Sequence, residues 1–246
     1  MNDDLRLALA LADAADDITI RHFQSATLSV RTKDDHTPVS EADEAVERMI
    51  RETLARERPD DGIVGEEFGT VTRARNWIID PIDATKNYVR GIPIFATLIA
   101  LENEVGVVSA PALGRRWWAS RGDGAFCNGA PIHVSAVGDL GAAQIGYDDV
   151  LGFEQHGLGD RFLNLMRRCG RARGFGDFWT HMLVAEGAIE IAVEPQIAPW
   201  DVAAVQVIVE EAGGRFTSLA GEARADGGSA LSTNGVLHDA VLGALR

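Results

Sequence analysis

The stretch NWIIDPIDATKNY, residues 76–88, ends an apolar run in Asp80 and follows it with Pro81, Ile82 and a second acid, Asp83. On an extended strand alternate side chains face opposite sides. Pro81 fixes its own φ, and a tight turn after Asp80 folds Asp83 back beside it. Two carboxylates that close repel each other and drive one pKa upward. A hard divalent ion with oxygen ligands, such as Mg²⁺ with several retained waters, relieves that repulsion. In such a turn the Ile82 carbonyl can also point at the ion. A strand end followed by an Asx-type turn accounts for the same four residues. The continuation ATKN adds chemistry: if the chain turns into a helix there, the free N–H groups of Ala84 and Thr85 can hold a phosphate oxygen.

Other acids sit at comparable positions. Glu66 and Glu67, in VGEEFG, fall at a strand-to-loop junction, or are a solvated surface pair. Asp201, in APWDVAA, stands at a helix start, where an acid also complements the helix dipole. Asp43, in SEAD, completes a capping box with Ser40 and can serve both roles, because a helix start also aims an acid at a cleft. Taken together, acids on separated segments, each at the end of a regular element, are how loops on a rigid scaffold build a site. The net charge of −14 makes nucleic acid and anionic membranes poor partners. It also means that an anionic substrate needs a locally supplied cation, and bound metal ions invert the field in that way.

The elements that must position these residues divide the chain. Asp4 to Phe23 has a helical pattern, and a second helix starts at the Ser40 cap and stops at Pro59. WIID, FATLIALE, VGVVSAPA and RRWWASR have the look of strands, and GDGAFCNGAPIHVS of a glycine-punctuated hairpin. The first half is therefore two helices on a largely antiparallel sheet. In the second half AQIGYD, AIEIAVEP and RFTSL read as strands. DRFLNLMRRC, DFWTHMLVAEG, PWDVAAVQVIVEEAGG and GVLHDAVLGAL read as helices, with RARGFG leading into one of them. That alternation predicts an α/β layer. Two lobes result, 1–135 (α+β) and 136–246 (α/β), with the site in the cleft between them. The two cysteines form neither a disulfide framework nor a zinc pattern, which fits a reducing cytoplasm. The amino terminus lacks a signal-peptide pattern, and no apolar run approaches the ~18 residues of a membrane span.

These motifs resemble the inositol-monophosphatase-like family of metal-dependent sugar phosphatases nearly end to end. KDDHTPVSEAD is similar to its lysine-to-aspartate motif, VGEE to its glutamate motif, WIIDPIDATKNY to its first signature and APWDVAA to its second; GAFCNGAPIHVS fits its hairpin. The resemblance implies a layered αβαβα sandwich, a homodimer and two to three Mg²⁺ ions. It assigns Glu66, Asp80, the Ile82 carbonyl, Asp83 and Asp201 as metal ligands, with Asp43 at a further metal or its water. It also implies that Glu66 and Thr85 orient the attacking water, with Asp43 backing Thr85, and that Lys33 either balances charge at the outer metal or is a solvated loop lysine. Asp83, Ala84, Thr85, Lys86 and Asp201 lie along the substrate in this reading. Ala84 departs from the family's usual glycine, and its methyl is tolerable at a phosphate-cradling turn only if φ is negative.

The segment RARGFGDFWTHMLVAEGAIEIAVEPQIAPWD is similar to the histidinol-phosphatase branch, as are VVSAPALGRRWWA and TKNYVRGIP. Histidinol carries an ammonium and an imidazole, so its pocket should offer carboxylates. Asp177 at a helix start and Glu194 at a strand end suit the organic half of the substrate, or are an N-cap and an edge acid. Arg173 pairs with the phosphate, pairs with one of these acids, or stays on the surface. Trp117 and Trp118 should face opposite sides of one strand, while Trp179 and Trp200 flank the pocket. No serine, cysteine or histidine nucleophile stands out, so water attacks directly. The competing functions are an inositol or broad sugar-phosphate phosphatase of the same fold, and a metal-binding regulatory protein without catalysis.

Overall fold

The computed structural model describes residues 2–33 and 37–246. Helix α1, Asp3–His22, starts at Asn2, whose side chain accepts from Leu5 N, with acids in its first turn and Arg21 and His22 in its last. Strands β1, Val30–Thr32, and β2, Pro38–Ser40, form a two-stranded antiparallel ribbon. Residues 34–36 of the KDDHTPVSEAD motif lie outside the described residues. Helix α2, Glu41–Glu57, carries the expected capping box between Ser40 and Asp43 and ends before Pro59.

A second sheet follows from β3 (Gly62–Gly65), β4 (Thr70–Val71) and β5 (Asn76–Asp83). After the short helix α3 (Thr85–Val89) it continues with β6 (Ala96–Leu101), β7 (Val105–Ala110), β8 (Arg115–Ser120), β9 (Gly124–Cys127) and β10 (Ala130–Ile132). The order is β10-β9-β8-β7-β6-β5-β3-β4, antiparallel except between β3 and β5. Period-two alternation decides what each face buries. Trp77, Ile79, Ile99 and Val107 meet Leu11, Val46, Ile50 and Leu54 of α1 and α2 on one side. Leu98, Ala100, Val108 and Trp117 face the other. Trp118 packs with the first set, so the adjacent tryptophans do face opposite ways.

The remaining elements are β11 (Gln144–Tyr147), α4 (Val150–Gln155), α5 (Gly159–Arg168), β12 (Arg171–Gly174), α6 (Asp177–Ala185), β13 (Ile191–Glu194), α7 (Pro199–Glu211), β14 (Arg215–Thr217), β15 (Ala230–Thr233) and α8 (His238–Leu245). The five-stranded sheet runs β12-β11-β13-β15-β14. Helices α6 and α7 fill the space between the two large sheets, with Met182, Val205 and Ile208 in one core with Leu98 and Trp117. Gly106 on β7 permits this approach, since a Cβ there would lie 2.4 Å from the Ala204 carbonyl oxygen of α7. Phe153, Phe162, Leu165 and Val241 of α4, α5 and α8 cover the outer face, against Ile145, Ile191 and Leu231. The layers are helix, sheet, helix, sheet, helix, the expected αβαβα sandwich. RARGFG does lead into α6, and its RARG part is in addition the edge strand β12, parallel to β11.

Candidate active site

The two aspartates of DPID come together by a different device from a tight turn. β5 continues through Asp83, and its register against β6 shifts on the way: Asp80 faces Leu98, but Asp83 faces Ala96. Three steps on β5 (80 to 83) therefore match two on β6 (98 to 96), the signature of a bulge. The extra residue gives an i, i+3 pair the common face that a regular strand reserves for i, i+2. Pro81 has no N–H to lose at this irregularity, and its carbonyl accepts from Thr97 Oγ1 at 2.8 Å. Asp80 is 1 % exposed and Asp83 7 %.

Asp201, in the first turn of α7, completes the group. Its Oδ2 accepts from Ala198 N at 2.7 Å. Asp80, Asp83 and Asp201 each offer an oxygen such that all three lie within 4.8 Å of one another. Asp83 Oδ2 also accepts from Phe178 N, 2.8 Å away at the start of α6. Burial raises all three carboxyls, and their neighbours raise them further. Asp80 is pushed well up by desolvation and then by Glu66 and Asp83. Asp83 is pushed well up by desolvation and then by Asp177 and Asp201. Asp201 reaches about 7 through desolvation, which outweighs the Ala198 hydrogen bond and is reinforced by Glu194 and Glu66. Asp80 Oδ1 is buried without a hydrogen-bond partner among the described residues. An oxygen-only set of clustered, dehydrated acids fits a hard divalent cation.

Glu66 lines the same cavity but stands outside that triad. Its Oε1 pairs with Lys33 Nζ at 2.7 Å, and Glu67 Oε1 lies 2.6 Å from the same ammonium. Burial opposes the Lys33 charge, but hydrogen bonds to Glu66 and Glu67 outweigh it and push the pKa up. Lys33 is thus an ion-paired, half-buried residue. Glu67 is pushed up to about 7 by burial, against Lys33 and with Glu66. The loop is anchored by Glu47, a fully buried acid on α2 whose carboxylate accepts from Glu67 N (2.7 Å), Phe68 N (3.1 Å) and Arg51 Nε (2.7 Å). Glu47 has no motif to mark it. Its one signal is its place one turn after Asp43, on the helix face that also carries Ile50 and Leu54.

Asp43 is buried and bound to Ser40, Oδ2 accepting from N at 2.8 Å and from Oγ at 2.5 Å. Burial pushes it up to about 6 against those bonds, and Oδ1 has no hydrogen-bond partner among the described residues. The expected support of Thr85 by Asp43 takes another form, because the Thr85 hydroxyl donates to the Ile82 carbonyl at 3.0 Å. Ala84, the N-cap of α3, has φ 63° and ψ 45°. The negative φ expected for a residue with a methyl group is therefore not adopted. The start of α3 is geometrically that of a glycine, held by alanine.

Glu66, Asp80, Ile82, Asp83, Ala84 and Asp201 line a cavity of about 640 Å³, whose wall also includes Thr85, Lys86, Asp148 and Asp177, while Asp43 and Lys33 stand behind that wall. A side recess of about 120 Å³ leads off between Asp83, Asp148, Asp177, His181, Glu194 and Asp201. Asp177 is the first helical residue of α6, after the N-cap Gly176, and has φ 51°. Burial, then Glu194 and Asp148, pushes it up to about 8. Asp148, just past β11, was read only as the last residue of the strand AQIGYD, because nothing in its spacing marks it as part of a site. Arg173 is not brought in: it is exposed on edge strand β12, and its guanidinium donates to the Ala172 carbonyl. Trp179 and Trp200 line neither cavity, and Trp179 instead packs edge-on against Trp117.

Fold and site together define a layered α/β protein that gathers carboxylates from separate elements around a place for a hard cation. The model of the inositol monophosphatase family matches residues 2–246. The histidinol-phosphatase of Mycobacterium tuberculosis is 54% identical over 98% of this chain and 97% of its own length, and that of Streptomyces coelicolor 51% over 99% and 97%. Among solved structures, the Thermotoga maritima IMPase superposes with a TM-score of 0.88 at 32% identity, covering 99% of this chain and 97% of that one. The extragenic suppressor protein suhB of Bartonella henselae does so with 0.91 at 28%, covering 100% and 99%. The chain belongs to the inositol monophosphatase family and is a phosphatase of that family.

Proposed function

We propose that this phosphatase hydrolyses histidinol phosphate with Mg²⁺ as cofactor. The observation that carries this reading is the acidic recess, with Asp148, Asp177 and Glu194, opening beside the Asp80–Asp83–Asp201 cluster. A recess of carboxylates complements a cationic alcohol by charge, where a neutral polyol could offer it hydrogen bonds alone. The strong full-length similarity to two histidinol-phosphatases supports the same choice.

In this reading Glu66, Asp80, the Ile82 carbonyl, Asp83 and Asp201 hold two to three Mg²⁺ ions, and Asp43 serves a further one or its water through the unpaired Oδ1. Ions bound there supply an acidified water and positive charge for an in-line displacement. The chain's own groups do the rest. Glu66 and Thr85 orient the attacking water. Lys33 tethers Glu66 beside the acid cluster. The N–H groups of Ala84 and Thr85 and the Lys86 ammonium face the phosphate. An ammonium entering beside Asp177 draws that carboxyl down from about 8, because an opposite charge favours the ionised form. Water attacks the phosphorus directly, and no side chain is esterified.

The cleft between lobes 1–135 and 136–246 is the substrate's way in; the large sheet is built before that boundary and the small sheet after it. Among the described residues no helix is long and apolar enough to cross a membrane. Together with two free cysteines this supports a cytoplasmic enzyme, and the family resemblance supports a homodimer. The test is phosphate release from histidinol phosphate, inositol 1-phosphate and β-glycerophosphate, with Mg²⁺ and with chelator. We expect Mg²⁺-dependent turnover with kcat/KM at least ~100-fold higher for histidinol phosphate, about 3 kcal/mol of discrimination. Equal or reversed preference would point to an inositol or broad sugar-phosphate phosphatase.

A further inference from the structure

The side recess ends on a residue that the mechanism above does not use. His181 lies on α6, is 1 % exposed, and has partners on two strands. Its Nδ1 is 2.7 Å from Ser232 Oγ on β15, and its Nε2 is 3.3 Å from Glu194 Oε1 on β13. The sheet dictates this meeting. Ala192 is paired with Ser232 across the antiparallel β13–β15 ladder, and Glu194 follows Ala192 by two residues. Ser232 and Glu194 therefore share one face. Helix α6 covers that face, with its Val184 packed in one cluster with Ala192.

The ring's protons follow from its partners. A carboxylate only accepts, so Nε2 carries the proton toward Glu194, and Nδ1 accepts from the Ser232 hydroxyl. The arrangement is incomplete, however. His181 Nε2 and Glu194 Oε1 are close but not aligned, and both are buried polar atoms without a hydrogen-bond partner among the described residues. Unpaired buried polar atoms are costly. These two stand in the wall of the recess, beside Asp177 and Asp148, where a ligand would draw them into line.

Resting on the histidinol-phosphate reading, we propose that His181 is a positioning residue for substrate choice: aligned by Ser232, it holds Oε1 of Glu194 and leaves Oε2 for the cationic half of the substrate. It touches neither the phosphate nor the attacking water. Its loss therefore weakens binding of the organic half and spares the chemistry.

The experiment compares wild type, His181→Leu, His181→Gln and Ser232→Ala. It measures kcat and KM on histidinol phosphate, kcat/KM on β-glycerophosphate, and the inhibition constant of inorganic phosphate. Gln places an N–H donor near the position of Nε2. We expect His181→Leu to raise KM for histidinol phosphate roughly ten-fold, the effect of losing one hydrogen bond to a charged group. We expect kcat and phosphate inhibition to stay within about two-fold, and His181→Gln to recover most of the KM. Ser232→Ala should raise KM by a smaller factor in the same pattern. It carries the test alone if His181→Leu does not fold. Equal losses on both substrates, a fall in kcat with KM unchanged, or no recovery by Gln would overturn the proposal. A wild type without preference for histidinol phosphate would instead overturn the reading on which it rests, and that outcome is visible before any variant is made.

Discussion

Ala84 and Asp177 are both non-glycine residues with positive φ, and both lie in the wall of the main cavity. Strain of this kind collects at functional sites, where the surrounding structure holds it. The two differ in cost. Aspartate visits the left-handed region with some ease, whereas the alanine methyl crowds the next carbonyl by roughly 1–2 kcal/mol. Replacing Ala84 by glycine removes that crowding but loosens the unfolded chain by about 0.4–1 kcal/mol. The net gain should be about 0.5–1 kcal/mol, which for a chain this long raises Tm by about 2 °C. Calorimetry on Ala84→Gly checks it, and an unchanged or lower Tm would show that the start of α3 relaxes around the methyl. The same substitution should lower the inhibition constant of inorganic phosphate, because the N–H groups become more approachable. At this scale the sequence was legible wherever a residue's role is local. Asp80, Asp83, Asp201 and the Ser40–Asp43 box can be picked out by type and spacing. Glu47, Asp148 and His181 cannot, because each acts through partners distant in the chain, and the sign of φ at Ala84 is set by the bulge before it and the helix after it.

The elements deliver the site through their ends and irregularities: the bulge in β5, the first turns of α6 and α7, and the loop after β3. Of these the loop has the least of its own to hold it, since β4 is a two-residue strand. Besides the Lys33 ion pairs to Glu66 and Glu67, its attachment is Glu47, which receives two backbone N–H groups and the Arg51 guanidinium. Glu47→Gln leaves at least one of those buried donors unpaired, a loss of about 1–3 kcal/mol. Because Glu66 is part of the same loop, Mg²⁺ affinity should fall with stability, by about ten-fold for each 1.4 kcal/mol that reaches the site. Isothermal titration with Mg²⁺ and a thermal melt of the metal-free protein separate the two effects. Lowered Tm with unchanged Mg²⁺ affinity would mean that Glu66 keeps its place without Glu47. The long, strongly patterned elements were legible from periodicity and caps, α1, α2, β5 to β8 and α7 among them. β12, α4 and β15 were not recognised as elements. The first is an exposed edge of RARG, the second is a helix of only six residues, and ALST in β15 is strand-forming only because β13 and β14 flank it. The β5 bulge was likewise invisible, since it exists only relative to the register of β6.

Over the whole molecule, a net charge of −14 and a cavity walled by acids, with Asp80 and Asp83 buried at its base, pose one electrostatic problem. Asp43 at about 6, Glu67 and Asp201 at about 7 and Asp177 at about 8 all bind protons more tightly folded than unfolded, and Asp80 and Asp83 are raised as well. Without a cation, folding therefore takes up protons. The stability that these groups allow is fully present below their unfolded values near 4, and it is lost as pH rises through their folded values, between about 6 and 8. The metal-free protein should melt at least about 5 °C lower at pH 8 than at pH 5, since a few kcal/mol suffices for that in a chain of this size. Bound Mg²⁺ replaces the protons and reverses the dependence: its stabilising effect should be larger at pH 8 than at pH 5, and its binding near pH 7 should release protons. Thermal melts in chelator and in Mg²⁺ across that range give the first result. Calorimetric titration in buffers of different ionisation enthalpy gives the second. A metal-free Tm that holds level or climbs from pH 5 to pH 8, or Mg²⁺ binding without proton release, would mean that the carboxylates are not crowded in solution as they are here. The cation would then be an accessory to this cleft, and the clustering of Asp80, Asp83 and Asp201 would need another cause.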